Sequence, residues 1–365
     1  MIAITGYTGF VGRHLLECLQ KNIENNTQNN QQCNLQNKLQ SNTKNKAQKE
    51  PYLLLGRDAL MAQAAITKEK STQPSNQSTG HLDLQLLATG DPKHLSELEA
   101  QLQDVSILVH LAAKVHQMPS TKNSSVTSDH EYIEMNANAT INLARCALNA
   151  GVKRFIFMST IKVNGEETTS QSFFSHSDKP NPSDPYGHSK ALAEKQLQQL
   201  AVDTDLELVI IRPPLVYGAG VKANFAALMK FVRTKRVNPF AMIKQNKRSF
   251  VSVYNLCDFI QTCISHPSLK NETFLVSDDQ DLSTSRLIQL LALAQGTKAL
   301  PIPIPAFVFS LMGRIFRKKM QIIRLTGSLR VDVSHAKNHL AWTPPYTVEQ
   351  SLQLMNINRN DVNGA

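Results

Sequence analysis

The sequence predicts an α/β fold, a doubly wound parallel sheet with a smaller mixed α/β lobe towards the C-terminus. Two observations predict the sheet. Short apolar runs alternate with helical patterns through the first 212 residues, and a glycine-rich turn joins the first run to the first helix. A third predicts the lobe. From Pro213 onward the alternation gives way to proline-rich turns, mixed helices and short strands. We therefore divide the chain into residues 1–212 and 213–365, the second part woven onto the first, with no internal repeat.

Met1–Thr5 reads as the first strand, and Arg13–Leu19 as a helix with Leu15, Leu16 and Leu19 on one face. Residues 21–50 interrupt the pattern: fifteen of the thirty are Asn or Gln, a composition for a solvated insertion without a core. Tyr52–Leu55 is the second strand, and 67–81 a second polar, loop-like insertion. Leu84–Ala88 reads as the third strand, Leu95–Leu102 as a helix and Ile107–Leu111 as the fourth strand. Tyr132–Asn149 is a long helix stopped by Gly151. Arg154–Met158 is the fifth strand, a helix runs from about Pro185 to Leu200, and Glu207–Ile211 follows as a strand.

The chain has 365 residues, 41% of them apolar and 19% charged, a composition for a soluble globular protein. Lys and Arg number 39 against 29 Asp and Glu, a net charge of +10. That excess suits nucleic acid, an anionic membrane surface or a phosphorylated small molecule. The five cysteines, Cys18, Cys33, Cys146, Cys257 and Cys263, show no metal-ligand spacing, and their odd number fits a reducing cytoplasm. No apolar run is long enough for a transmembrane helix, and the N-terminus lacks the basic start of a secretory signal.

Gly6, Gly9 and Gly12 lie between the first strand and the first helix, the context of a dinucleotide fingerprint. The first permits a tight turn, the second lets backbone approach a pyrophosphate, and the third lets helix and strand pack closely. The helix N-terminus then offers N–H groups and a positive dipole end. The second strand ends Leu55-Gly56-Arg57-Asp58. With Gly56 where an acid would sit and Arg57 next, a 2′-phosphate could be accommodated and paired, which tips the cofactor towards NADP(H), while Asp58 leaves NAD(H) open.

Tyr186 and Lys190 stand four apart in DPYGHSKALAEK, on one face of a helix. An ammonium near a phenol lowers the tyrosine pKa, and such a phenol can exchange a proton with an alcohol oxygen. Ser159-Thr160 follow the fifth strand, where a hydroxyl would face the cleft at the sheet's carboxyl edge, and Asn136 lies on the preceding helix.

With these residues in order, the chain resembles an extended short-chain dehydrogenase/reductase of the NAD-dependent epimerase/dehydratase family, the UDP-glucose 4-epimerase type. The resemblance is carried by GYTGFVG at 6–12, Gly90-Asp91, HLAAKVH at 110–116, MNANAT at 135–140, FIFMSTIKVNGE at 155–166, DPYGHSK at 184–190 and RPPLVYGAGVKANF at 212–225. It implies a Rossmann-type NAD(P)-binding domain and a nucleotide-sugar-binding lobe. Thr160 would hydrogen-bond the reacting hydroxyl, Tyr186 would be the acid/base, and Lys190 would hold the nicotinamide ribose. Asp91 would contact adenine, and Ala112, Ala113 and Pro213 would line the nicotinamide pocket. Phe10, Val11, Lys114 and Asn136 join the implied cofactor contacts, and Lys114 those to substrate as well. Asn224 and Arg248 would meet the substrate diphosphate, with Arg324 a further candidate. A homodimer formed through two long helices is also implied.

Departures narrow the chemistry. Related 4,6-dehydratases carry an Asp-Glu pair directly after the threonine; Ile161 and Lys162 stand there instead, so water elimination lacks its acid/base pair. Val163-Asn164-Gly165 replaces the usual VYG, which with RPPLVYGAGVKANF looks most like a polysaccharide-biosynthesis subgroup of UDP-N-acetylhexosamine 4-epimerases and 4-keto-reductases. The expected function is thus C4 chemistry on a UDP-sugar, as epimerase or 4-keto-reductase. The alternative is a catalytically silent NAD(P) sensor, which need not keep Thr160, Tyr186 and Lys190. The chain shows no nucleic-acid recognition motif. Eight cations and no acid lie in 222–248, and six cations and no acid in 305–331. Pro305–Met320, apolar with a basic end, is too short to span a membrane. It could touch an anionic membrane surface, but packing at a lobe or dimer boundary is the preferred reading.

Overall fold

The computed structural model describes residues 1–21, 52–56, 77–82, 84–115, 129–315 and 319–360. Strands β1 (Ile2–Thr5), β2 (Tyr52–Gly56), β3 (Gln77–His81), β4 (Ile107–His110), β5 (Arg154–Met158) and β6 (Glu207–Arg212) build most of the main sheet. Short strands β7 (Leu215–Tyr217), β8 (Val237–Asn238) and β9 (Phe250–Ser252) follow, then β10 (Glu272–Leu275) and β11 (Leu300–Pro301). The main sheet is seven-stranded and parallel, in the order β10-β6-β5-β4-β1-β2-β3. This is the expected doubly wound order, and its direction reverses between β1 and β4, the place where such sheets leave a crevice.

Alternate residues of each strand feed two cores. Leu53, Leu55, Leu108, Phe155 and Phe157 pack on one face. There they meet helices α2 (Leu84–Thr89), α3 (Pro92–Gln101), α4 (129–149) and α5 (Pro185–Val202). Ile4, Leu54, Val109, Ile156 and Val209 pack on the other. There they meet α1 (10–21) and a helix from the second half of the chain.

Two sequence expectations are corrected. Leu84–Ala88 forms α2, and the third strand is Gln77–His81, inside the stretch read as a loop. A short apolar run does not distinguish a buried strand from a buried helical turn, and Leu87 is fully buried here. An edge strand pairs through its backbone on one side, so it tolerates the polar sequence QSTGH. Residues 22–50 and 67–76 lie outside the described residues. The long helix α4 begins at Asp129 and contains one wide turn, Glu134–Asn138, of π geometry. Gly151, at φ +87°, ends it as expected.

After α6 (Ala223–Lys235), helix α7 (Val253–Ser265) buries Leu256, Phe259 and Ile260 against the second face of the main sheet. β10 then pairs with β6 and completes that sheet. Asp278 anchors the crossing: its carboxylate accepts from the Tyr217 hydroxyl (2.7 Å), the Ser252 amide (2.8 Å) and Asn255 Nδ2 (2.7 Å). Burial raises the Asp278 pKa despite those donors. Helix α8 (Thr284–Ala294), α9 (Ala306–Ile315), α10 (Lys319–Thr326), α11 (Ser334–Leu340) and α12 (Val348–Asn360) complete the chain.

Candidate active site

The glycine turn lies at the crevice between β1 and β4. Gly6 has φ +69°, and a Cβ there would sit 2.6 Å from the Ala112 amide nitrogen. A Cβ on Gly12 would sit 2.4 Å from the Gly6 carbonyl oxygen. No side chain fits either place, so backbone lines the cleft and α1 points its first amides into it. Phe10 and Val11 form the first turn of that helix and pack partly into the second core. This cradle suits a dinucleotide pyrophosphate.

The loop after β4 is fixed from below and from the side. Thr140 Oγ1 donates to the Asn136 carbonyl (2.8 Å), so towards His110 it can only accept. His110 therefore carries its proton on Nε2, and Nδ1 accepts from Thr5 Oγ1 (2.7 Å). Burial, with Lys190 nearby, lowers the His110 pKa to about 3 and keeps the ring neutral. Thr5 in turn accepts from the Ala112 amide (3.3 Å). Asn136 Oδ1 accepts from the Lys114 amide (2.7 Å), and its Nδ2 donates to the Lys114 carbonyl (3.0 Å) and to Ser189 Oγ (3.1 Å). Asn136 thus ties the Lys114 backbone to α5. The Lys114 ammonium pairs with Glu131.

After β5, two adjacent hydroxyls have different environments. Ser159 Oγ is buried and donates to Glu194. Thr160 is half-buried, and its Oγ1 accepts only a long bond from the Lys162 amide (3.4 Å). Thr160 is therefore the hydroxyl with capacity for a ligand. Ile161 donates its amide to the Pro213 carbonyl (3.0 Å), which fixes that proline beside the threonine. Glu194 also holds Arg212 with bonds to Nε of 3.0 and 3.2 Å, and Arg212 Nη1 donates to Asn164 Oδ1 (3.0 Å). Both ionised groups are almost fully buried. Sequence reasoning missed this ion pair. Glu194 lies four residues after Lys190, so a carboxylate on the buried face of α5 was the signal available.

Tyr186 and Lys190 occupy the start of α5, whose N-cap Asp184 accepts from the Gly187 amide (2.7 Å). Lys190 is buried; its ammonium donates to the Met158 carbonyl (2.8 Å) and lies 4.3 Å from the Phe157 ring centre. Burial lowers its pKa to about 7, with Glu194 acting the other way. The expected lowering of Tyr186 is not produced by the protein groups around it. Burial, Asp184 and Tyr132 push its phenol upward. Lys162, in the place of a dehydratase carboxylate, pairs with Asp184 and with Glu166 (3.4 Å).

Glu166 also faces Arg324 (3.9 Å). The half-buried Arg248 donates to the Gly327 carbonyl (3.3 Å); burial lowers its pKa, against Glu166 and Glu167. Two predicted cations thus converge on acids that sequence reasoning did not single out. Asn224 stands in the first turn of α6. Asp91 caps α3, its carboxylate accepting from the His94 amide (2.8 Å). The residues before it, Leu84–Thr89, form α2. Arg57 lies outside the described residues.

Residues 2–277 match the NAD dependent epimerase/dehydratase family. The chain belongs to this family. A UDP-glucose 4-epimerase of Vibrio cholerae is 46% identical over 268 residues, which is 73% of this chain and 81% of that protein. An N-acetyl-α-D-glucosaminyl-diphospho-ditrans,octacis-undecaprenol 4-epimerase of Escherichia coli O157:H7 is 25% identical, over 74% of this chain and 83% of the other. Among solved structures, a UDP-glucose 4-epimerase of Thermotoga maritima with UDP-glucose has a TM-score of 0.67 at 18% identity, covering 99% of both chains. The NAD-containing dTDP-glucose 4,6-dehydratase DesIV of Streptomyces venezuelae has a TM-score of 0.69 at 18% identity, covering 100% of this chain and 98% of that one. These two likenesses support the fold. The family accounts for a nucleotide-sugar enzyme on a Rossmann-type sheet.

Proposed function

We propose that this member of the family is a UDP-sugar 4-epimerase that keeps NAD bound through its catalytic cycle. The observation that carries the reading is the set of Thr160, Tyr186 and Lys190 after β5 and at the start of α5, at the same carboxyl edge of the parallel sheet as the glycine turn after β1. The relative from Vibrio cholerae supports epimerisation over 4-keto reduction. The NAD-bound neighbours favour NAD over NADP.

Gly6, Gly9, Gly12 and the amides of Phe10 and Val11 would hold the pyrophosphate, and Ala112, Ala113 and Pro213 the nicotinamide side. When bound, the nicotinamide supplies a hydride acceptor at the sugar C4 and returns that hydride. Tyr186 takes the proton of the C4 hydroxyl and gives it back after the 4-keto sugar has turned its other face. Thr160 hydrogen-bonds the same oxygen. Lys190 would hold the nicotinamide ribose. Asn224, Arg248 and Arg324 serve the UDP diphosphate from the lobe of residues 213–365. We also read the groove lined by Ile141, Arg145, Gln196 and Leu200, between α4 and α5, as a homodimer face.

The test is to purify the protein, release and identify its nucleotide, and offer UDP-glucose, UDP-N-acetylglucosamine and a UDP-4-keto-6-deoxy sugar separately. Bound NAD with interconversion of C4 epimers is expected. NADPH consumption on the keto sugar alone would establish the reductase instead. Turnover of none of these sugars would refute the reading for them. Tyr186→Phe should lower turnover by about 10²- to 10⁴-fold while NAD stays bound.

A further inference from the structure

The charge excess has a location. No Asp or Glu occurs from residue 208 to 257 or from 282 to 331, while these windows hold seventeen Lys and Arg. The fold brings the two windows together. β11 pairs with β8, the Leu300 amide donates to the Arg236 carbonyl (2.8 Å), and Phe240 bridges to Pro303.

Helix α9 follows this junction. Its Phe309 is buried and stacks on Phe240, ring centres 4.7 Å apart. Its other apolar side is bare: Phe307, Leu311 and Ile315, spaced by four, are 70%, 54% and 64% exposed. The expected packing at a lobe boundary holds for the Phe309 side, and this side is left uncovered within the chain's described residues. Leu300, Ile302 and Met242 from the adjoining β8–β11 region are exposed as well. Exposed cations accompany them: Arg314 on α9, Arg233, Lys235 and Arg236 at the end of α6, and Lys244 beyond β8.

We propose that α9 and the β8–β11 edge form a docking surface for an anionic lipid bilayer. Phe307, Leu311 and Ile315 enter the acyl boundary while the flanking Arg and Lys meet lipid phosphates. The charge decides between occupants. A second copy seated on the same patch would set cations against cations, with no acid in either window to neutralise them. A bilayer surface offers apolar depth and negative charge together, and each basic side chain near it adds attraction that salt screens. No helix among the described residues is long and apolar enough to cross a membrane, so the contact is one of lying on the surface. The proposal stands independently of the sugar and the cofactor.

The experiment is co-sedimentation of the full chain with vesicles of equal parts phosphatidylglycerol and phosphatidylcholine, or of phosphatidylcholine alone. Binding to the anionic vesicles is expected, weakened by added salt and about tenfold or more weaker on the neutral ones. Phe307→Glu and Leu311→Glu should each lower binding about tenfold or more, with unchanged melting temperature and turnover of soluble UDP-sugar. Absence of binding to anionic vesicles, or variants that bind like the wild type, would overturn the proposal. Variants that turn a dimer into a monomer in sedimentation equilibrium would overturn it too, by making the stripe an interface between copies. Capture of an acidic protein without vesicle binding would reassign the surface to that partner.

Discussion

Replacing Lys190 by methionine should stabilise the protein and remove its activity. The Lys190 ammonium is buried between Met158 and Phe157, and its pKa falls from 10.5 to about 7. A tenfold change in proton affinity is worth about 1.4 kcal/mol, so the charged lysine costs up to about 5 kcal/mol of folding stability. The folded pKa is the lower one, so the unfolded chain binds the extra proton. The cost is therefore full below about pH 7 and fades as pH rises towards the unfolded value. Methionine keeps the apolar stem but leaves the Met158 carbonyl without this donor, which returns about 1–3 kcal/mol of the gain. The net stabilisation at about pH 6 is thus about 2–4 kcal/mol, shrinking by about 3 kcal/mol between about pH 6 and pH 9. Urea unfolding of both proteins without cofactor, at several pH values, measures this. A stability difference that does not change with pH would refute the reasoning, because packing effects do not titrate.

Four further substitutions probe the site. Gly12→Ala puts a Cβ 2.4 Å from the Gly6 carbonyl oxygen, so bound NAD should be lost from the purified protein and the melting temperature should fall. Glu194→Gln leaves the buried Arg212 without its counter-charge, an expected loss of about 3–5 kcal/mol in denaturant unfolding. Thr160→Ala should lower kcat by about tenfold or more through one lost transition-state hydrogen bond, with stability nearly unchanged. Ser159→Ala should do the reverse, because its hydroxyl serves Glu194.

The glycine turn, the strands that flank the crevice and the Tyr186–Lys190 spacing were legible because each depends on local sequence. Those features follow from period, turn chemistry and helix geometry. Leu84–Ala88 was misread because five residues are too few to separate a strand from a helical turn. Its neighbour Gln77–His81 was missed because backbone pairing alone holds an edge strand. The Glu194–Arg212 pair, the Thr5–His110–Thr140 chain and the Arg248–Arg324–Glu166 group join residues far apart in sequence, so spacing does not reveal them. The Tyr186 pKa was predicted from one neighbour, Lys190, while burial and Asp184 act in the opposite direction.

Strand β10 reaches the edge of the main sheet only after β7, α6, β9 and α7 have been laid down. A ribosome must therefore release some sixty residues beyond β6 before the sheet has its last strand. The two regions are not separable cassettes. A chimera joined at residue 212 would inherit a sheet whose final strand and covering helix come from the other parent. Redesign of substrate preference is better confined to loops than attempted by swapping halves, and heat or denaturant should melt sheet and lobe in one transition.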